Sequence, residues 1–257
     1  PFSRTGYGDV VRAMGGDHIA YCLGDASHAY NGISEDDMWI DAFKKAGIAQ
    51  TPEYGFGKTP LKKYRRHMLM LYPNILVIYD ELEATEATRW DWLLHSDTKF
   101  SIDNTAHMLT TSNTAKGFVA RTQLFSNDAM SLSQTDQFFC DPDGGVTSKY
   151  KRQWHMTAQI PNSSSTRVLA IVQVGANEDA LLPITQNGNM FTIGNWTIEA
   201  SMASISTAAL KITNSTLPEV SFVYDARSNS SLYDTVSGIM QTQTQTDRTP
   251  VMTRGIE

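Results

Sequence analysis

Across residues 64–72 the chain alternates with a period of two. Tyr64, Arg66, Met68, Met70 and Tyr72 share one face, and Arg65, His67, Leu69 and Leu71 share the other. Successive side chains of a strand point to opposite sides, so this period predicts a strand. Pro73-Asn74 interrupts it, because proline fixes φ and cannot donate to a ladder while asparagine favours turns. Residues 75–79 then run apolar on both faces, as expected of a strand covered on both sides. Asp80 and Glu81 follow and, being adjacent, point to opposite faces. The charged stretch 81–88 predicts a turn, after which Trp90, Trp92 and Leu94 alternate with Asp91, Leu93 and His95. This block predicts the centre of a large antiparallel β structure.

Similar segments recur along the chain, at residues 9–14, 18–23, 106–111, 118–124, 153–160 and 167–174. More follow at 190–193, 196–201, 209–212, 220–224 and 239–244. They are short, rich in Val, Ile, Thr and aromatic residues, and bounded by Gly, Asn, Asp and Ser. Asn187-Gly188 and Gly194-Asn195 are hairpin signals. One helix is expected, with Ser34 as N-cap before Glu35-Asp36-Asp37, an apolar face of Trp39, Phe43 and Ala46, and Gly47 as its stop. Residues 50–60 read as a loop, and 240–257 as an edge strand or a loosely packed tail. Strands without interleaved helices make the fold class all-β: a large, multi-layer antiparallel β-sandwich with one short helix.

The chain has 257 residues, enough for a substantial core. Its 21 Lys and Arg against 27 Asp and Glu give a net charge of −6, which argues against a dedicated nucleic-acid binder. A local basic cluster, Lys58, Lys62, Lys63, Arg65 and Arg66, reads either as an anion site or as a solvated strand entrance, and the second is favoured. The two cysteines, Cys22 and Cys140, lie outside any C-x-x-C, and their spacing does not decide whether they pair. No apolar run of about 18 residues is present, so no membrane span is expected. The chain begins at Pro1 without an initiator Met and reads as an excised or processed segment.

Candidate chemistry is sparse. None of the six histidines falls in a metal-ligand spacing, and no nucleophile elbow or phosphate loop occurs. His95 ends the strand carrying Trp90 and Trp92; it suits a cleft rim, although a buried histidine bonded to a backbone carbonyl is the favoured reading. Arg152, Trp154 and His155 close a basic stretch, and an indole beside cations suits stacking on a sugar and pairing with a carboxylate. Trp154 is equally suited to a core position. Asp136 and Gln137 stand in a polar segment before the loop 140–148, where they either hold the loop or touch substrate. Asp25 with Ser27 reads as a turn. Asp80 and Glu81 make a poor catalytic carboxylate pair, since glycosidase dyads need facing groups.

The string Tyr79-Asp80-Glu81-Leu82-Glu83-Ala84, followed by Trp90, Trp92, Leu93, Leu94 and His95, resembles the β domain of heparinase II/III-type polysaccharide lyases. Gly24-Asp25-Ala26-Ser27 with Ala29-Tyr30, residues 133–138 and residues 153–158 fit at compatible spacing. The resemblance covers roughly residues 20–175 and is not specific for any one substrate. It implies that residues 1–257 form the β-sandwich portion of a larger lyase whose N-terminal helical toroid is missing from this chain. The expected parent cleaves uronate-containing acidic glycans by β-elimination, outside the cytoplasm, in the periplasm or secreted.

In that family the catalytic Tyr and one His lie in the toroid. A second His and the metal ligands cluster around an H-x-H-x-D-like stretch early in the β domain. That stretch is absent here, so no catalytic or metal-binding residue carries over, and the chain is expected to be inactive alone. The resemblance leaves room for zinc or calcium in the parent and implies no cofactor in this chain. The expected partners are an acidic polysaccharide and the helical domain of the same protein. His95, Arg152, Trp154, His155, Asp136 and Gln137 remain as candidate substrate contacts. The rival readings are a non-catalytic carbohydrate-binding or structural β-sandwich module, and an accessory domain of a glycoside hydrolase.

Overall fold

The structure, a computed structural model, describes residues 7–30, 37–51, 59–137, 152–226, 229–234 and 240–244. Two antiparallel sheets account for most of them. The first contains β1 (Tyr7–Gly15), β2 (Ile19–His28), β3 (Leu61–Leu71), β4 (Ile75–Ser96), β5 (Ser101–Asp103), β6 (Met108–Asn113), β7 (Phe118–Phe125), β8 (Ser131–Thr135) and β9 (Trp154–Gly175). Its strand order is β1-β2-β3-β4-β9-β7-β6-β5, with β8 beside β9. The second sheet is a simple meander: β10 (Ile184–Asn187), β11 (Met190–Ile193), β12 (Trp196–Ala200), β13 (Ala209–Asn214), β14 (Ser221–Asp225), β15 (Asn229–Tyr233) and β16 (Met240–Thr244). One helix, α1 (Asp37–Lys45), falls between β2 and β3 in the chain, and Gly47 follows it at φ 69°. The all-β sandwich with one short helix is what the alternation predicts.

The spine is the pair β4 and β9, each of 22 residues and paired along nearly their whole length, from Ile75↔Gln173 to Ser96↔Trp154. Here the structure corrects the sequence reading. Residues 81–88 are not a turn but the middle of β4, where the ladder slips between Glu83 and Trp90. Charged residues there mark a bulged, solvent-touching bend, and a bulge keeps the chain extended where a turn would reverse it. The same bend merges the two segments predicted at 153–160 and 167–174 into β9.

Bending divides the interior. On one side, Tyr21, Leu23, Leu69, Leu71, Val77, Tyr79, Leu169 and Ile171 of the first sheet pack against Phe191, Ile198, Leu210, Ile212, Phe222 and Tyr224 of the second. On the other, the first sheet closes on itself: Trp92, Leu109, Leu124, Leu132, Met156, Ala158, Ile160, Val168 and Ala170 form a second core. Both cores arise from period-two patterning, since even and odd positions of β4 and β9 feed different layers. Buried polar groups tie the two sheets together. Arg167 donates from Nη1 to the Ser201 carbonyl at 2.7 Å, and Tyr79 Oη donates to the same oxygen at 2.6 Å. Asp234 accepts from the backbone N–H groups of His18 and Ile19, each at 2.6 Å.

The hairpin signals hold: Gly188 and Gly194 have φ of 60° and 54° in the β10–β11 and β11–β12 turns. Strands β5, β8, β10 and β15 carry too few apolar residues to stand out by periodicity. Met240–Thr244 is a paired edge strand, and residues 245–257 lie outside the described residues, as do Ser34 and Cys140. Cys22 is a free thiol. No helix among the described residues is long and apolar enough to cross a membrane.

Candidate functional site: an aromatic cavity on the β3–β4 ladder

Strands β3 and β4 place Arg66 opposite Asp80 and His67 opposite Tyr79, and the pleat sends neighbours to opposite sides. On the side away from the second sheet lies a cavity of about 490 Å³. Tyr30, Tyr64, Trp90 and Trp92 supply its aromatic walls, Leu61, Leu82, Ile160 and Val168 its apolar floor, and Arg66, Asp80, Arg89 and Asp91 its polar groups.

These groups are fixed by one another. Arg66 donates from Nε and Nη2 to the two oxygens of Asp80, both at 2.8 Å, in a bidentate fork. Trp92 Nε1 donates to Asp80 Oδ2 at 3.1 Å, and Trp90 Nε1 donates to the Ser163 carbonyl at 2.8 Å. The Arg66 guanidinium carbon lies 5.7 Å from the Tyr64 ring centre and 5.9 Å from that of Trp92. Burial pushes the Asp80 carboxyl above its ordinary value, with Arg66 pulling the other way. Burial works against the charge of Arg66, yet the Asp80 carboxylate holds its pKa above the ordinary value. An arginine cannot be deprotonated at any working pH, and its two-bond fork keeps the carboxylate ionised.

The reverse side is sealed. His67 is fully buried; its Nε2 lies 2.9 Å from Glu81 Oε1 and its Nδ1 lies 3.0 Å from Tyr21 Oη. Tyr224, from the second sheet, donates to the same Glu81 oxygen at 2.8 Å. An ionised Glu81 can only accept, so His67 donates from Nε2 and accepts at Nδ1 from the Tyr21 hydroxyl. Burial pushes His67 below its ordinary value and keeps it neutral. Burial opposes the charge of Glu81, but the hydrogen bonds from His67 and Tyr224 together with Lys63 bring its pKa down to about 2. Tyr21, His67 and Glu81 join β2, β3 and β4 of the first sheet, and the bond from Tyr224 ties them to the second, so this face is structural.

The predicted basic cluster dissolves into ion pairs. Lys62 and Lys63 face Glu83 at 3.5 Å and 2.7 Å, Arg65 meets Asp25 at 2.9 Å, and Arg66 meets Asp80. Lys58 lies outside the described residues. Asp25 also accepts from the Ser27 N–H at 3.0 Å, but within strand β2, paired with Asp9 and Arg65, and not in the turn expected of it.

The other candidates gather at the far end of β4 and β9. His95 and His155 are cross-strand partners with ring centres 4.7 Å apart, edge to face. His95 is exposed, which overturns the favoured reading of a buried histidine, because its side of β4 extends past the second sheet. Trp154 is half-buried and stacks under its own chain's cation, with Lys99 Nζ 4.9 Å from the ring centre. Arg152 is exposed. Gln137 donates to Asp136 at 2.6 Å just beyond β8. None of the six lines the cavity. Among the described residues no three His, Cys, Asp or Glu side chains converge, so these residues offer no ready cation cage.

The cavity residues that escaped sequence reading left a signal: Tyr64 and Arg66 share a face of one strand, and Trp90 and Trp92 share a face of another. Nothing local says that the two faces meet.

No family model matches the chain, and no curated protein matches it in sequence. Among solved structures it is similar to heparinase III, with 12% identity and a TM-score of 0.52 over 93% of this chain and 27% of that one. It is also similar to a mutant of the heparan sulfate lyase HepC from Pedobacter heparinus, with 12% identity and a TM-score of 0.47 over 92% of this chain and 27% of that one. At such identity the fold is what is shared. The fold accords with the heparinase-type resemblance, and the chain spans about 27% of the length of these structures.

Proposed function

We propose that the chain is the β-sandwich portion of a polysaccharide lyase that cleaves uronate-containing acidic glycans by β-elimination. The observation that carries this reading is the fold shared with heparinase III over 93% of the chain. β-Elimination needs a group that neutralises the uronate carboxylate, a base for the α-proton and an acid for the leaving oxygen. The buried Glu81 and His67 are engaged between the sheets and suit none of these roles. The chain's part is therefore positional: one wall of the substrate cleft, docked on a helical domain of the same protein and inactive alone. His95, His155, Arg152 and Trp154 are the wall residues best placed to touch glycan, with Asp136 and Gln137 beside them. The working compartment is periplasmic or extracellular.

The test is absorbance in the ultraviolet band of unsaturated uronates. The full-length protein and residues 1–257 are incubated separately with heparan sulfate, hyaluronan, chondroitin and alginate. A rise with the full-length protein and none with residues 1–257 is the expected result. No rise with either, on any substrate, overturns the lyase reading. A second reading, a carbohydrate-binding module without turnover, is favoured by the aromatic cavity; saturable glycan binding with no absorbance change would select it.

A further inference from the structure

We infer that the cavity on the β3–β4 ladder is a binding site for an uncharged sugar ring, with Tyr30, Tyr64 and Trp90 as stacking walls and the Arg66–Asp80 pair as its hydrogen-bonding floor. The inference is independent of the lyase reading, since a binding module could carry the same site.

Three observations lead there. The first is shape and composition. At about 490 Å³ the cavity lies within the range of small-molecule sites, roughly 300–1,000 Å³, and combines apolar walls with few polar groups, as such sites do. Flat aromatic rings suit the C–H faces of a pyranose. The second is rigidity. Trp90 is tied to the Ser163 carbonyl at 2.8 Å, and the Tyr30 and Tyr64 rings stack at 5.9 Å with 22° between planes. Walls that are already set lose little freedom when a ligand enters.

The third observation is charge, and it selects the ligand class. The charged lining among the described residues consists of two closed pairs, Arg66–Asp80 at 2.8 Å and Arg89–Asp91 at 2.9 Å, so these residues give the cavity no net charge. A carboxylate or sulfate on the ligand would give up its water and meet Asp80 and Asp91 along with the two arginines, a poor exchange. Hydroxyls fit better. Arg66 spends Nε and Nη2 on Asp80, and its Nη1 makes no hydrogen bond among the described residues; its side chain is 31% exposed. That leaves a donor on a cavity-lining side chain held by a fixed fork, suited to a sugar oxygen.

The experiment uses the full-length protein and isothermal titration against uncharged tetrasaccharides of gluco, galacto, manno and N-acetylgluco configuration. Tetragalacturonate serves as the acidic counterpart. The expected result is saturable binding of at least one uncharged oligomer, at least about tenfold tighter than tetragalacturonate. Tyr30→Ala should weaken that binding several-fold with an unchanged melting temperature, because Tyr30 is 57% exposed and carries little of the fold. Arg66→Lys, which keeps the charge but not the fork, should weaken it too. Binding of no uncharged oligomer, equal or tighter binding of tetragalacturonate, or indifference to Tyr30→Ala each overturns the inference. Because turnover is read separately by absorbance, the failure of this site and the failure of the lyase reading are distinguishable.

Discussion

Asp80 and Glu81 are adjacent, both acidic and almost equally hidden, at 1% and 2% exposure, yet they live in different kinds of place. Glu81 points between the sheets, where Tyr21, His67 and Tyr224 close a continuous hydrogen-bonded chain around it. Asp80 points to the floor of an open cavity, where its partner Arg66 retains a third of its surface. Burial alone does not separate a structural carboxylate from a functional one. What separates them is where the hydrogen bonds go: those of Glu81 run to His67 and Tyr224 inside the fold, and its outward ion-pair partner Lys63 is bonded to Glu83 at 2.7 Å. Glu81 Oε1 takes two hydrogen bonds from buried groups of the fold, whereas the Asp80 pair holds a guanidinium open to a ligand.

That contrast predicts unequal costs of substitution. Glu81→Ala strands His67, Tyr224 and Lys63 in or near the interior and should lower unfolding free energy by about 3–5 kcal/mol, the usual penalty for breaking a buried charged network. Chemical denaturation at neutral pH measures it. Asp80→Asn keeps the shape and one acceptor, and water can reach Arg66 through the cavity, so about 1–3 kcal/mol is expected. Equal losses at the two positions would erase the comparison.

Acid should sharpen it. The folded-state pKa of Glu81 lies near 2, below the ordinary 4.5. Its contribution is therefore complete above about pH 4.5 and lost as pH falls towards 2. His67 shifts the onset upward. Burial holds it below its ordinary 6.5, so under acid the unfolded chain takes up that proton before the folded one does. Stability should begin to fall below pH 6.5 and fall again below 4.5. Glu81→Gln should flatten the lower limb of a melting-temperature profile and spare the upper; an unaltered lower limb would place the acid-labile group elsewhere. Tyr224→Phe, which removes one of the two short bonds to Glu81 Oε1, should cost about 1 kcal/mol in the same denaturation assay.

Part of this was legible from residue order. Alternation in 64–72 and 90–95 set the strands and their faces, and adjacency alone placed Asp80 and Glu81 on opposite sides. Pairing was not legible, because period two says which face a residue takes and nothing about which strand it meets. Lys62, Lys63, Arg65 and Arg66 looked like a basic patch because their partners Glu83, Asp25 and Asp80 lie between 14 and 40 positions away in sequence. The β4 bulge hid for a related reason: residues 85–87 are exposed and Thr85 and Glu86 are polar because the bend meets solvent, and a polar run is also how a turn is written. The cavity needs both facts, the Arg66–Asp80 ladder pair and the return of Trp90 and Trp92 beyond the bulge.

The smallest effect belongs to the histidine pair at the opposite end of the same two strands. His95 is exposed and its ring meets only the edge-to-face contact with His155 among its described ring contacts, so His95→Ala should change unfolding free energy by less than about 0.5 kcal/mol. His155 is half-buried against β8, where it lies opposite Thr135, and its replacement should cost more. Paired denaturation curves decide the order. If His95→Ala proved as damaging as Asp80→Asn, exposure at the end of the β4–β9 spine would be no guide to structural weight. If it left stability untouched but reduced turnover of the full-length protein, His95 would belong to the cleft wall, a role that residue order could raise but not decide.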